Sequence, residues 1–346
     1  MKHPQSRHLG QAPKEVGGLQ VSVIIPVYNA AAYVREAVES ALAQPETAEV
    51  ILVEDGSPDD SLVVCEALAA EHDKTRLLRH PNGENRGAGA SRNLAIERSQ
   101  SPFVAFLDAD DYYLPGRFTV ARRIFEQQPD IDGVYEAISA HFQSEIAERR
   151  WREAGMPVLT TLTQPVTPED LFAALVSGRF GHFSTIGFVA RRSMFERSGL
   201  FDAHLDLHQD TALWLKMAAT GRLAPGRLEE PVAIRRVHEA NRSSATRDTS
   251  EAHRHRLIMW ETVWGWGLRH MTAAQQELTL RGLLSDAMRP YGDDPPLRRR
   301  ARSLLRLMAL AIRHPGLAAR ATFWRVAVQQ VRAPRAWWER AHKVFR

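Results

Sequence analysis

The chain of 346 residues has one cysteine, Cys65. It has no uninterrupted apolar run of the roughly 18 residues that a membrane-spanning helix needs. A single cysteine excludes an intramolecular disulfide and agrees with a reducing compartment. Cys65 sits in Ser61-Leu-Val-Val-Cys65-Glu-Ala-Leu-Ala-Ala, which has helical periodicity, so a buried structural thiol is expected rather than a reactive one. Residues 1–18 are polar, carry Pro, His and Gly, and lack the apolar core of a targeting signal; they read as a disordered tail. Also missing is a glycine-rich fingerprint directly after the first apolar segment, where the chain has Pro26-Val-Tyr-Asn29. That argues against a nicotinamide enzyme, and the lack of a glycine-rich basic loop there argues against a sugar-1-phosphate nucleotidyltransferase.

Charge is unevenly distributed. Residues 251–346 carry 18 Arg/Lys against 7 Asp/Glu, which leaves 27 against 34 in the first 250. An acidic part bearing the motifs and a basic part with another role are expected.

The organising stretch is Phe103-Val-Ala-Phe-Leu-Asp108-Ala-Asp110-Asp111. Five apolar residues without a polar interruption suit a strand buried on both faces of a parallel sheet, and Ser101-Pro102 punctuates its start. The acids then fall at the carboxyl end, the edge where ligands bind in open α/β sheets, and their oxygens suit a hard divalent cation carrying phosphates. A triplet of this kind also arises by chance. The second one, Asp130/Asp132, follows Pro129 in a loop.

Upstream, Val21–Pro26 reads as the first strand, with Asn29 capping a helix from Ala30 to Ala43, and Val50–Val53 as the second. The second strand ends in Glu54-Asp55-Gly56-Ser57, and a helix to His72 and a short strand Arg76–Arg79 follow. Asn82 to Asn93 is a glycine-rich loop entering a helix over 90–98. Its backbone amides can meet phosphate, and Arg92 adds a fixed charge.

Four blocks, Val-Ser-Val-Ile-Ile-Pro-Val-Tyr-Asn29, Glu-Asp55-Gly-Ser57, Asn85-x-Gly-x-Gly-x-Ser-Arg92-Asn93 and Asp108-Ala-Asp110-Asp111, resemble those of the family 2 glycosyltransferases in order and spacing. The resemblance covers about residues 20–245. It implies a GT-A fold, an α/β Rossmann-like and mostly parallel sheet flanked by helices. It also implies an inverting transfer from a nucleotide-sugar donor, first of all a UDP-sugar, assisted by Mn2+ or Mg2+. On the matching positions, Asp110 is the metal ligand and Asp108 meets the donor's ribose or sugar. Asp55 reads the base, in a pocket completed by Pro26, Tyr28 and Glu54. For Asp55 the alternative is a helix cap, for Glu54 a turn acid, and for Asp111 either support of the metal site or a cap on the turn before Leu114-Pro115.

Farther on, Phe183 to Asp202 resembles the family's strand and helix leading to the acceptor side. In His208-Gln209-Asp210 the family's usual Glu-Asp has become Gln-Asp, which leaves Asp210 as the general base implied by the resemblance, at a helix start favourable to a carboxylate. Leu213, Trp214 and Met217 form that helix's apolar stripe. His238, in Arg235 to Ser243, matches the histidine that approaches metal or diphosphate; a purely structural histidine is the alternative. The segment 135–183 carries no readable acceptor motif.

The expected organisation is a tail over 1–18, a glycosyltransferase domain over 19–245 (nucleotide half 19–113, acceptor half 114–245) and a basic helical region over 251–346, with 242–250 as linker. That region has breaks near Pro290 to Pro296, Pro315 and Pro334, and an apolar side of Leu304, Leu305, Leu307, Met308 and Leu310. Arg298 to Arg300, Arg302 and Arg306 cluster near its start, and Trp324, Trp337 and Trp338 lie among arginines. Two readings stand: a bundle packed on the catalytic domain, or a surface lying on an acidic membrane. No groove-reading motif supports nucleic acid. Family habit adds a glycan or lipid-linked acceptor, surface polysaccharide assembly, and a cytoplasmic enzyme peripheral at the inner face of the membrane. A catalytically silent nucleotide-sugar-binding relative is the competing class, favoured by Gln209 alone.

Overall fold

A computed structural model describes residues 18–238, 250–288 and 296–332. Residues 1–17 of the expected tail, 242–249 of the expected linker, the expected break over 290–295, and Pro334, Trp337 and Trp338 lie outside these residues.

The first half alternates strands and helices. β1 (Val21–Val27), α1 (Val34–Leu42), β2 (Thr47–Glu54), α2 (Ser61–Glu71), β3 (Thr75–Arg79), α3 (Gly87–Arg98), β4 (Phe103–Phe106) and β5 (Tyr112–Tyr113) follow in order. Next come α4 (Thr119–Gln127), β6 (Gly133–Tyr135), β7 (Ile138–Phe142), α5 (Glu145–Glu153), β8 (Leu159–Thr160) and α6 (Pro168–Ser177). β9 (Phe188–Arg191), α7 (Met194–Ser198), α8 (Gln209–Thr220), β10 (Leu223–Pro225) and β11 (Ala233–Val237) complete this half. The basic region supplies α9 (Ser250–His270), α10 (Ala273–Ala287), α11 (Pro296–Arg313), α12 (Pro315–Ala318) and α13 (Ala321–Arg332).

Seven strands form one sheet in the order β10-β6-β9-β4-β1-β2-β3. β9 alone runs antiparallel to its neighbours β4 and β6. The uninterrupted apolar runs of β1, β2 and β4 follow from their central place. Ile24, Ile51, Val104 and Phe106 join the core on one face, while Val23, Ile25, Leu52 and Ala105 join the core on the other. Each of these valine, leucine, isoleucine and phenylalanine side chains contributes about 1.5–3 kcal/mol by leaving water. A second sheet, β5-β11-β7-β8, stands beside the carboxyl edge of the first, with β11 parallel to β7 and antiparallel to β5.

α1 begins four residues later than the sequence suggests, and Asn29 is not its cap. Asn29 adopts a left-handed φ of 52°. The amides of Asn29, Ala30 and Ala31 donate instead to Ser57 Oγ, Ser61 Oγ and Asp59 Oδ2. Side chains after β2 thus fix the turn after β1, a long-range tie that outweighs the local capping preference. α3 starts at Gly87, three residues before the expected start.

α8 is buried all round rather than on one stripe, with Ala212 to Ala218 all in the interior. α9 packs on it, and Trp260, Val263, Trp264, Leu280 and Leu283 continue the same apolar core. The bundle therefore packs on the glycosyltransferase domain through α6 and α8, as one of the two readings expected. Its expected apolar side is divided, however: Leu307 and Leu310 are buried, whereas Leu305 and Met308 face outward. No described helix is long and apolar enough to cross a membrane.

Candidate active site

The carboxyl ends of β1, β2 and β4 converge on one edge, and each delivers polar groups there. At the end of β2, Glu54 is 1% exposed and accepts hydrogen bonds from the Ser57 amide at 2.5 Å and from Arg79 Nε at 3.0 Å. Burial pushes its carboxyl up, but the Ser57 hydrogen bonds and Arg79 outweigh that and hold it below the ordinary carboxylate range. Asp55, 2% exposed, accepts from the amides of Arg86 at 2.8 Å and Gly87 at 2.9 Å. It therefore closes the glycine-rich loop onto the start of α3, where a carboxylate is favoured. His80 Nε2 lies 3.6 Å from Asp55 Oδ1 and 3.0 Å from Ser91 Oγ, and burial keeps its pKa low. Pro26 is partly buried in β1, and Tyr28 just beyond the strand is 53% exposed.

Gly56 has φ +70°, and a Cβ there would stand 2.7 Å from the Gly83 carbonyl oxygen and 2.9 Å from the Asn85 amide. Only glycine lets the two loops meet so closely.

After β4, Asp108 is held by Arg92 Nη2 of α3 at 2.5 Å, with the guanidinium also over the Phe201 ring. Asp110 Oδ2 lies 3.3 Å from His238 Nε2, and burial, reinforced by Asp108, raises its pKa. Asp111 is buried and accepts the Arg236 amide at 2.8 Å. Its pKa is raised well above normal by burial, then by Asp110 and Asp108. Asp111 thus anchors β11, the strand that leads directly to His238, and does not cap the turn before Leu114.

His238 is further fixed by Tyr33, whose ring stacks on it at 5.7 Å and 16° and whose hydroxyl donates to Gln143 Oε1. Arg236 lies over both Tyr33 and Tyr112 and pairs with Glu36 at 2.5 Å. The sequence does not mark Tyr33 or Arg236 for the site. Tyr33 immediately precedes α1, and its stack on His238 is what brings it to the site.

Asp210 stands in the first turn of α8, and its carboxylate accepts the Thr211 amide at 2.7 Å. His208 before it has φ 62° and a pKa lowered by burial and then by Arg256 of α9. Gln209 donates its side-chain N–H to the Leu205 carbonyl, and its Oε1 closes on Gly89 in the first turn of α3. A glutamate could not make that donation, which gives Gln209 a physical reason for replacing the acid. Asn93 of α3 exchanges two hydrogen bonds with the Phe201 backbone. The helix bearing Arg92 is thereby joined to the segment that leads to Asp210.

Among the described residues no group of three or more His, Cys, Asp or Glu gathers as a metal cage. Asp110 and His238 offer two adjacent donors, one oxygen and one imidazole nitrogen. That set fits a divalent ion such as Mn2+ whose remaining positions are filled by diphosphate oxygens and water.

Residues 22–199 match the family described as Glycosyl transferase family 2. The succinoglycan biosynthesis protein ExoU of Rhizobium meliloti (strain 1021) is 32% identical over 240 residues, 69% of this chain and 65% of that protein. EpsJ of Bacillus subtilis (strain 168), an uncharacterized glycosyltransferase, is 31% identical over 195 residues, 55% of this chain and 54% of its own. The chain thus spans less than two thirds of the length of these relatives. The crystal structure of S. aureus TarS 1-349 in complex with UDP-GlcNAc matches with a TM-score of 0.54 at 18% identity, over 90% of this chain and 91% of that one. At that identity the likeness establishes the fold, a central mostly parallel sheet flanked by helices. Fold, motif order and sequence matches agree that the chain belongs to glycosyl transferase family 2.

Proposed function

We propose that the chain transfers a sugar from a nucleoside diphosphate donor, first of all UDP, to a hydroxyl of a glycan or lipid-linked acceptor, with inversion at the anomeric carbon. The observation that carries this reading is the juxtaposition of two ends of the site. Arg92, which pairs with Asp108 on the donor side, shares α3 with Gly89, and Gly89 lies against the side chain of Gln209, the neighbour of Asp210. A carboxylate base whose neighbour lies against the helix that carries the donor-side arginine suits a single direct displacement.

In this reading Asp110 and His238 hold a divalent ion, which when bound stabilises the charge on the departing diphosphate without needing a proton. Asp108, oriented by Arg92, meets the donor's ribose or sugar. Tyr28 and Pro26 flank the base. Asp55 and Glu54 set the pocket's shape by closing the loop, and Asp55 keeps a lone pair on each oxygen beyond its two amide bonds with which to accept from the base. Asp210 takes the proton from the attacking hydroxyl, a contribution of about 10²- to 10⁴-fold.

The named role of ExoU in succinoglycan biosynthesis supports an exopolysaccharide or cell-envelope context. The UDP-GlcNAc bound to TarS makes uridine the first base to try. A cytoplasmic enzyme in peripheral contact with the membrane's inner face accords with a lipid-linked acceptor.

Release of nucleoside diphosphate from a panel of nucleotide sugars, with Mn2+ and candidate acceptors, tests the reading. Turnover with one donor, abolished in Asp210→Asn, supports it. Tight donor binding without turnover under any acceptor favours a silent relative instead.

A further inference from the structure

The outward side of α11 carries Leu305, Met308 and Ile312, spaced i, i+3 and i+7 and therefore on one stripe, at 63%, 60% and 78% exposure. α13, which packs on α11, adds Trp324 at 56% and Val328 at 43%. Five of the ten large apolar side chains most exposed among the described residues thus come from two neighbouring helices. On the same helices Leu307, Leu310 and Phe323 supply the inward contacts, so the outward residues are not needed to hold the bundle together. Exposed apolar side chains so concentrated mark an interaction surface rather than chance.

The charge around them says which kind. From 296 to 332 the sequence has nine arginines and no aspartate or glutamate. Arg302 and Arg313 stand on α11 itself and are exposed, Arg313 also pairing with Glu261 of α9 at 2.9 Å, and Arg325 stands beside Trp324 on α13. The Trp324 indole N–H is satisfied by the Ala318 carbonyl at 2.7 Å, which leaves the ring to present its apolar body outward. A second copy of the chain meeting this face through a two-fold axis would bring two sets of arginines together, which is repulsive. A surface that is apolar just beneath a layer of negative charge satisfies both features.

We propose that this face of α11 and α13 lies on an anionic lipid bilayer, with Leu305, Met308, Ile312 and Trp324 entering the headgroup boundary and the flanking arginines meeting lipid phosphates. The proposal rests on the reading above only in that a lipid-linked acceptor would be met at such a surface; the donor chemistry is not involved.

The test is cosedimentation of the full chain with phosphatidylglycerol-containing vesicles and with pure phosphatidylcholine vesicles, without donor or acceptor. Binding is expected to the anionic vesicles alone and to fall steeply with added salt. The variant Leu305→Gln/Met308→Gln/Ile312→Gln is expected to bind about tenfold more weakly or worse. Val63→Gln, which changes an equally exposed apolar residue on α2, is the control and is expected to bind as the parent does. Circular dichroism checks that all three proteins are folded. A parent that stays in the supernatant, equal binding to both vesicle types, or a triple variant that binds like the parent would each overturn the proposal. So would a lipid-free parent that is dimeric and becomes monomeric in the triple variant, since the face would then cover a second copy. Donor binding measured on the same samples separates failure here from failure of the transferase reading.

Discussion

His238 Nε2 lies 3.3 Å from Asp110 Oδ2 although 128 positions separate the two residues. Asp110 follows the central strand β4, whereas His238 follows β11 of the second sheet. Asp111 ties the two sheets by accepting the Arg236 amide, and Tyr33 packs flat against the imidazole. Removing the stack should loosen His238 without touching a carboxylate. Tyr33→Ala is therefore expected to weaken Mn2+-dependent nucleotide binding about two- to tenfold, and Tyr33→Phe less, since the ring remains. Titration calorimetry reads both; equal affinity in Tyr33→Ala would remove the positioning role.

Asp210→Asn keeps the shape of the first turn of α8 but removes the proton acceptor. Turnover is expected to fall by about 10²- to 10⁴-fold while donor affinity stays within about threefold. A variant that loses both equally would show that Asp210 serves binding and not proton transfer.

Gly56→Ala combines a left-handed φ with a Cβ thrust at the backbone of the 83–85 loop. The expected loss is about 2–4 kcal/mol of stability, seen as a lower melting temperature in differential scanning fluorimetry, together with weakened nucleotide binding. Neither loop can retreat by turning a side chain, because the obstructing atoms are main chain.

How far the site was legible depended on how local its determinants are. The strand tips at Asp55 and Asp108 could be read because an apolar run followed by acids specifies its own position. The start of α1 could not, since Ser57, Asp59 and Ser61 hold the 29–31 turn from 28 to 31 residues away. The segment 135–183 resisted reading for a similar reason. Its anchor, the fully buried Arg117–Glu136 pair at 2.9 Å, joins residues that no periodicity connects. The two faces of α11 were likewise merged in the sequence, because periodicity shows where apolar residues recur but not which stripe finds a partner.

Glu54 also makes stability depend on pH. Its folded pKa is lowered relative to the ordinary 4.5, so its pairing stabilises the fold above that value and the contribution disappears as pH falls through the folded pKa. Urea unfolding at pH 7 and pH 4 should show a smaller difference in Glu54→Gln than in the parent. An unchanged difference would assign the acid sensitivity to other groups.

Cys65 is buried on α2, and burial pushes its thiol up to about 12. It should react with a disulfide reagent at pH 8 only after unfolding, whereas rapid labelling of the native protein would place it at the surface.

The most direct measurement is calorimetric binding of a panel of nucleoside diphosphates, with and without Mn2+, to the parent chain and to Asp110→Ala. Metal-dependent binding of one nucleotide, UDP first, that is lost in Asp110→Ala is the expected result and would name the donor's base. No metal-dependent binding by any nucleotide would contradict the transferase reading of this edge.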